Sequence, residues 1–171
     1  MELAPWVETV TNRQVTRYDL PALEWNGEFT HFRRVYADAY ERVQTGRSVM
    51  WVADLPGVGI IGQVFIQLVS ERYELADGVT RAYLYSFRVK PAYQGMGLGS
   101  RMMETLEDDL RQRGYIYVTL NVARTNERAQ DLYRRRGYKI IASESGRWSY
   151  PDHRGIWHSV EEPAWRMQKT L

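Results

Sequence analysis

Val89-Lys90-Pro91-Ala92-Tyr93-Gln94-Gly95-Met96-Gly97-Leu98-Gly99-Ser100 decides how this chain is read. A β-rich run, Arg81 to Lys90 (RAYLYSFRVK), leads into it and reads as a strand. Pro91 ends that strand, because proline has no N–H to give a ladder. Three glycines follow at alternate positions, and then a helix pattern starts. Leu98, Met102, Leu106 and Leu110 recur at i+4, Met103 widens the stripe, Arg111 and Arg113 suit the last turn and Gly114 suits the cap. Glycines let a ligand lie against the backbone, and a helix N-terminus offers orphan N–H groups at a positive dipole end, which together make an anion site. The same glycines also read as a connector that merely allows helix and strand to pack closely. Other phosphate motifs fit worse. Gly95, Gly97 and Gly99 give G-x-G-x-G where a dinucleotide fingerprint needs G-x-G-x-x-G, and no Lys lies near Gly99 as a P-loop would require.

Outward from this stretch the pattern is regular. On the N-terminal side, Phe29 to Val43 predicts a helix with Phe32, Val35, Tyr36, Ala39 and Tyr40 on one face. Ser48 to Leu55 and Ile60 to Ser70 predict an antiparallel hairpin turned by Pro56-Gly57-Val58-Gly59. On the C-terminal side, Tyr115 to Asn121 predicts a short strand. Asn126 suits an N-cap for a helix that ends at Arg136 before Gly137. Tyr138 to Ala142 and Ala164 to Lys169 predict two further strands, and Ser143 to Glu162 shows no regular pattern. Strand, helix and strand across residues 81–121 predict a parallel pair joined by a crossover. The fold class expected is α/β, a three-layer α/β/α domain over residues 1–171 with a mixed central sheet.

Composition narrows the function. The chain has 171 residues, enough for one ordinary domain, and no Cys. That excludes disulfides, thiolate metal sites and a Cys nucleophile, and it suits the cytoplasm. No apolar run reaches the ~18 residues of a membrane span. The first ten residues lack the order of a signal peptide. Residues 1–85 carry net −3 and residues 86–171 net +5, and 20 of the 23 basic residues are Arg. A net charge of +2 is too small to argue for nucleic acid. The three His show no ligand spacing, so no metal is expected. Arg134-Arg135-Arg136 reads as a solvated helix end.

The chain resembles the GCN5-related N-acetyltransferase (GNAT) superfamily. Gln94-Gly95-Met96-Gly97-Leu98-Gly99 matches its Q/R-x-x-G-x-G/A motif. Asn126, Ala129, Leu132-Tyr133 and Gly137-Tyr138 match its N-x-x-A-x-x-L-Y-x-x-x-G-F/Y block. The likeness covers about residues 48–142, and residues 143–163 match no motif of the family. The resemblance implies acetyl-CoA as co-substrate, an amine acceptor and direct transfer; dimers are common in the family, so a homodimer is compatible. It implies that backbone N–H groups from Gly95, Met96, Gly97, Leu98, Gly99 and Ser100 hold the pyrophosphate, with Gln94 opening the motif. It also implies that the pantetheine arm runs along Phe87, Arg88 and Val89 between splayed strands and touches Asn126. Tyr133 is implied as the acid for the departing thiolate; by spacing alone, on one face with Ala129 and Leu132, it reads as a packing residue.

The base is not legible. Relatives often carry Glu or Asp on the strand before the glycines, but Tyr83 to Arg88 contains no carboxylate. Glu28, Glu71, Glu74, Glu144, Asp152, His153, His158, or a water on Tyr85 or Ser86, are the candidates. The missing carboxylate leaves a second reading open, an acyl-CoA-binding sensor or partner subunit without chemistry. The aromatic segment 147–158 and Trp6, Trp25, Tyr36 and Tyr40 are candidates for the acceptor side.

Overall fold

In a computed structural model that describes residues 3–171, the longest apolar runs build the middle of a seven-stranded sheet. Strands β1 (Thr11–Gln14), β2 (Ser48–Leu55), β3 (Gly59–Gln67), β4 (Arg81–Val89), β5 (Tyr117–Ala123), β6 (Lys139–Glu144) and β9 (Ala164–Thr170) lie in the order β1-β2-β3-β4-β5-β9-β6. Only β4 and β5 run parallel, because helix α2 (Leu98–Gln112) carries the chain back between them. The C-terminal β9 inserts between β5 and β6 and pairs antiparallel with both.

Helices cover both faces. On one face, α2 and α3 (Glu127–Arg135) pack Leu98, Met102, Met103, Leu106, Leu110 and Tyr133 onto Val64, Ile66, Ala82, Leu84, Val118, Leu120 and Met167. On the other, α1 (Arg33–Gln44) and the 3₁₀ turns before it pack Leu23, Tyr36 and Ala39 onto Met50, Val52 and Phe65. The three-layer α/β expectation is met.

One polar cluster pins the α2 side. Glu107 on α2 is fully buried and accepts from Lys169 Nζ at 2.6 Å, Arg136 Nη2 at 2.9 Å and the Tyr138 hydroxyl at 3.1 Å. Arg136 therefore does not end a solvated helix. It turns inward to a carboxylate whose burial requires a partner.

The structure adds three elements that the pattern does not predict. β1 reads Thr-Asn-Arg-Gln, with no apolar alternation, and joins as an edge strand beside β2. Arg17–Gly27 is 3₁₀ around Pro21, with Trp25 and Asn26 in left-handed conformations. Residues 147–161, expected to be irregular, form a two-stranded hairpin of β7 (Arg147–Pro151) and β8 (Trp157–Glu161). Its turn is built by Asp152, whose carboxylate accepts the N–H groups of Arg154 at 2.8 Å and Ile156 at 3.0 Å. Asp152 and Gly155 between two aromatic runs were the available signal.

Candidate functional site

The site grows from a fault in β4. Ala82 and Leu84 face α2, while Tyr85 faces the α1 side against Phe65 at 5.7 Å. Regular alternation would then turn Phe87 and Val89 toward α1 as well. Instead both pack against the α2 core, and Arg88 points to the α1 side. The slip lies at Ser86, where the register with β3 shifts between Gln63 and Phe65 and φ is +52°. One extra residue on β4 flips the phase of everything after it. A left-handed φ on serine costs about 1–2 kcal/mol. The buried Gln63 side chain holds the fault by donating Nε2 to the Ser86 carbonyl at 3.3 Å.

The fault also separates two strands. β4 pairs with β5 from Arg81–Tyr117 to Leu84–Leu120 and no further, while β5 continues beside β9 to Ala123. Past Leu84 a gap opens between the parallel strands, with Phe87, Arg88 and Val89 along one side. The Val89 carbonyl already accepts Gln94 Nε2 at 2.7 Å, so one of its lone pairs is occupied.

The glycine loop closes the end of this gap. Gly95 and Gly97 have φ of +75° and +95°, so the loop needs glycine there for its backbone shape. Gly99 differs: a Cβ there would lie 3.4 Å from Leu132 and 3.5 Å from Phe87, so this glycine serves close packing. The packing reading of the glycines therefore holds at Gly99, while Gly95 and Gly97 are dictated by backbone shape. Gly97 caps α2, and Arg101 is the first residue of the helix start to return an N–H to backbone, on the Gly97 carbonyl at 3.2 Å. The N–H groups from Gly95 to Ser100 find no partner among the described residues. The side chain of Leu98 is buried in the core, so only its backbone faces the loop. Arg128 of α3 leans over the loop, donating to Gln94 Oε1 at 3.3 Å with its Nη2 near Gly95. Trp6 packs on Tyr93 at 5.4 Å, which places it beneath the glycine loop and away from the α1 face.

Two motif residues of the second block are held by α3. Asn126 caps α3, its side chain accepting the Ala129 N–H at 3.1 Å. Tyr133 lies between Phe87, at 6.5 Å, and Tyr138, at 5.9 Å between ring centres. Its hydroxyl bonds to no described residue and is not wholly sealed from solvent. Burial pushes the Tyr133 phenol well up, with Tyr83 nearby adding to the effect. Tyr83 and Tyr85, stacked at 5.8 Å on the opposite face, are each pushed up to about 12, again mainly by burial. All three phenols are proton donors at neutral pH.

The opposite face is aromatic. Phe32 sits 5.0 Å from Tyr150 and 6.0 Å from Trp148, so the β7–β8 hairpin folds against the start of α1. His31 lies 4.2 Å from Phe32 and 6.1 Å from Tyr150. Tyr36 accepts from Arg88, and Trp25 packs on Phe29 at 5.1 Å. Phe29, His31 and the direction of Arg88 were missed in the sequence. Their aromatic spacing was visible, but it also fits an ordinary amphipathic helix.

The candidate bases scatter. Glu28 and Glu71 are exposed, and Glu74 is paired with Arg72. Glu144 is held by Arg72 at 2.8 Å and Arg166 at 3.0 Å. Asp152 shapes the hairpin turn and bonds His158 Nε2 at 2.8 Å; that bond and the turn N–H groups hold its carboxyl down to about 2. His153 Nδ1 is buried with no partner. No carboxylate stands on β4 beside the gap. Among the described residues no cluster of His, Asp and Glu suits a metal, and no helix is long and apolar enough to cross a membrane.

Known proteins match this arrangement. The sequence profile of the Acetyltransferase (GNAT) family fits residues 14–138. The chain is similar to the uncharacterized N-acetyltransferase YdgE of Bacillus subtilis, 37% identical over 59 residues, which are 34% of this chain and 38% of that protein. It is also similar to the thialysine N-epsilon-acetyltransferase of Bos taurus, 33% identical over 64 residues, 37% of this chain and 38% of the relative. The matched segments thus span well under half of either relative. Among solved structures, the ribosomal-protein-S18-alanine N-acetyltransferase from Escherichia coli superposes with a TM-score of 0.70 at 24% identity, over 95% of this chain and 94% of that one, which shows a shared fold. With the family profile spanning the glycine loop, the gap and Tyr133, this chain belongs to the GNAT acetyltransferase family.

Proposed function

We propose that this chain transfers an acetyl group from acetyl-CoA directly to a primary amine. The observation that carries this is the gap opened past Leu84, with unpaired loop N–H groups at one end and the Tyr133 hydroxyl beside it. Backbone N–H groups of residues 95–100 take the pyrophosphate, aided by the α2 dipole. The pantetheine amides run along the backbone of Phe87, Arg88 and Val89, and Asn126 offers its remaining amide donors.

In the reaction, the amine lone pair attacks the thioester carbonyl, a C–N bond forms and the C–S bond breaks. The thiolate takes the Tyr133 proton, which burial keeps on the phenol until the C–S bond breaks, and the phenolate then regains a proton from solvent. The amine proton leaves to solvent through water held by Tyr83 or Tyr85, since no carboxylate stands on β4. The absence of Cys favours direct attack over an acyl-enzyme. The reading extends to a cytoplasmic location and to a homodimer.

The test is thiol release from acetyl-CoA over a panel of amines and peptides, with Tyr133→Phe alongside. The chain adds no thiol background. Tyr133→Phe is expected to lower kcat by about 10²–10⁴ while leaving acetyl-CoA binding intact. Full activity in the variant would remove the acid role. Tight acetyl-CoA binding with no release on any acceptor would favour the sensor reading, which the lack of a carboxylate on β4 motivates.

A further inference from the structure

We infer that the acceptor carries a carboxylate near its amine, and that Arg88 reads it; the inference rests on the transferase reading above. If Tyr133 reaches the thioester from the α3 side of the gap, the amine must come from the α1 side. The fault at Ser86 turns the Arg88 guanidinium toward that approach. Without it, Arg88 would point into the α2 core.

The guanidinium of Arg88 is held but not satisfied. It lies 4.2 Å over the Phe29 ring and 5.2 Å from that of Phe32, and Nη1 donates to the Tyr36 hydroxyl at 2.6 Å. The other edge, Nε with Nη2, bonds to no described residue, and neither nitrogen is sealed from solvent. That edge is the one that grips a carboxylate through two parallel N–H bonds.

Several acids on the α1 side and the sheet edge are already paired. Glu24 holds Arg33 at 2.9 Å, Asp152 holds His158 at 2.8 Å, and Glu144 holds two arginines. The approach to the gap therefore presents Arg88 as a cation with an open edge fixed by an aromatic frame, with Lys90 Nζ beside it at 5.8 Å from the Trp25 ring. A ligand anion fits it, whereas a polyamine, cationic along its length, meets repulsion. Phe29, Phe32 and Tyr150 add apolar surface for the rest of the acceptor. The carboxylate belongs either to a free amino acid or to an acidic residue beside a peptide's terminal amine, and the two sources separate experimentally.

The experiment measures kcat/KM for matched pairs: leucine against leucinamide, and an alanyl peptide amide with Glu against the same peptide with Gln at the second position. Wild type is expected to favour the carboxylate member of one pair by about 10- to 100-fold. Arg88→Gln should bring that ratio near unity, and Arg88→Lys should keep part of it. A wild-type ratio near one in both pairs overturns the inference. It would mean that the open edge of Arg88 turns inward to the buried, unpartnered Gln63 Oε1. Equal loss on both members in Arg88→Gln also overturns it, because a merely structural residue would act so. Should Arg88→Gln fail to fold, the wild-type ratio and Arg88→Lys decide. If no amine is turned over, calorimetry of the same pairs on the CoA-loaded protein decides. A carboxylate preference there upholds Arg88 and faults the transferase reading, and its absence overturns Arg88.

Discussion

The two faces of the sheet are built on different principles. The α2–α3 face is an apolar core with one buried ion cluster, and at its edge the glycine loop offers backbone. The α1 face is assembled from aromatic side chains on the 3₁₀ turns, α1, β4 and the β7–β8 hairpin, with its charges mostly paired. A nucleotide-bearing cofactor can be held by N–H groups whose positions depend on φ rather than on side-chain identity. An acceptor must be recognised by side chains from segments far apart in sequence. The first kind of site leaves a short local signature, and the second leaves none.

The largest expected effect tests whether the α2–α3 face is truly locked. Glu107→Ala removes the carboxylate that gathers Lys169, Arg136 and Tyr138, leaving two cations facing a cavity. Breaking a buried pair in this way costs about 3–5 kcal/mol, which urea denaturation would read. An unchanged midpoint would mean that this face is no more tightly tied than the other.

A smaller effect tests whether the faces act independently. Gly95→Ala places a Cβ 2.9 Å from Arg128 Nη2 at a φ of +75°. A strain of about 1–2 kcal/mol should relax the loop and raise the KM for acetyl-CoA by about 10-fold, with the leucine-to-leucinamide ratio unchanged. A shift in that ratio would show that the glycine loop and the aromatic face are coupled.

The smallest effect belongs to the rim of the α1 face. The Arg13 fork, at 2.8 Å to both oxygens, holds the Asp19 carboxyl down to about 2 against an ordinary 3.8, with burial opposing it and Thr16 assisting. The folded carboxyl binds its proton more weakly than the unfolded one. Its stabilisation is therefore complete above about pH 4 and is lost as pH falls toward 2. The stability difference between wild type and Asp19→Asn should shrink over that window in thermal unfolding. Subtraction is needed because Asp152 titrates in the same range. A difference that stays constant would dismiss the Arg13 pair as a contributor.

The strongly periodic parts were readable. The expected helix 98–113 is observed as Leu98–Gln112, and the strand after the crossover as Tyr117–Ala123. Stripes of Leu and Met are set by core burial, which sequence periodicity reports directly. β1 was hidden because an edge strand of polar residues needs only backbone pairing. The hairpin was hidden because Arg147-Trp148-Ser149-Tyr150 owes its strand form to docking on Phe32 and to a turn organised by one carboxylate. In the site the two motif blocks meet, Tyr133 lying 6.5 Å from Phe87 and Arg128 leaning on Gln94 and Gly95. The direction of the Arg88 side chain was not legible, because alternation reports direction only while the count stays regular, and serine does not advertise a left-handed φ.

The fault at Ser86 gives β4 something like a reading frame. Up to Tyr85 odd positions face one way, and from Phe87 on they face the other. Straightening Ser86 into ordinary extended backbone, with no residue removed, would exchange inside for outside all the way to the glycines. Phe87 would be thrust among the aromatics and Arg88 driven against Leu98 and Met102. Removing Ser86 outright would restore the alternation and leave Phe87 and Arg88 on their present faces, so the surplus residue sets where the strand changes phase, and the count elsewhere along it sets which side chains face in.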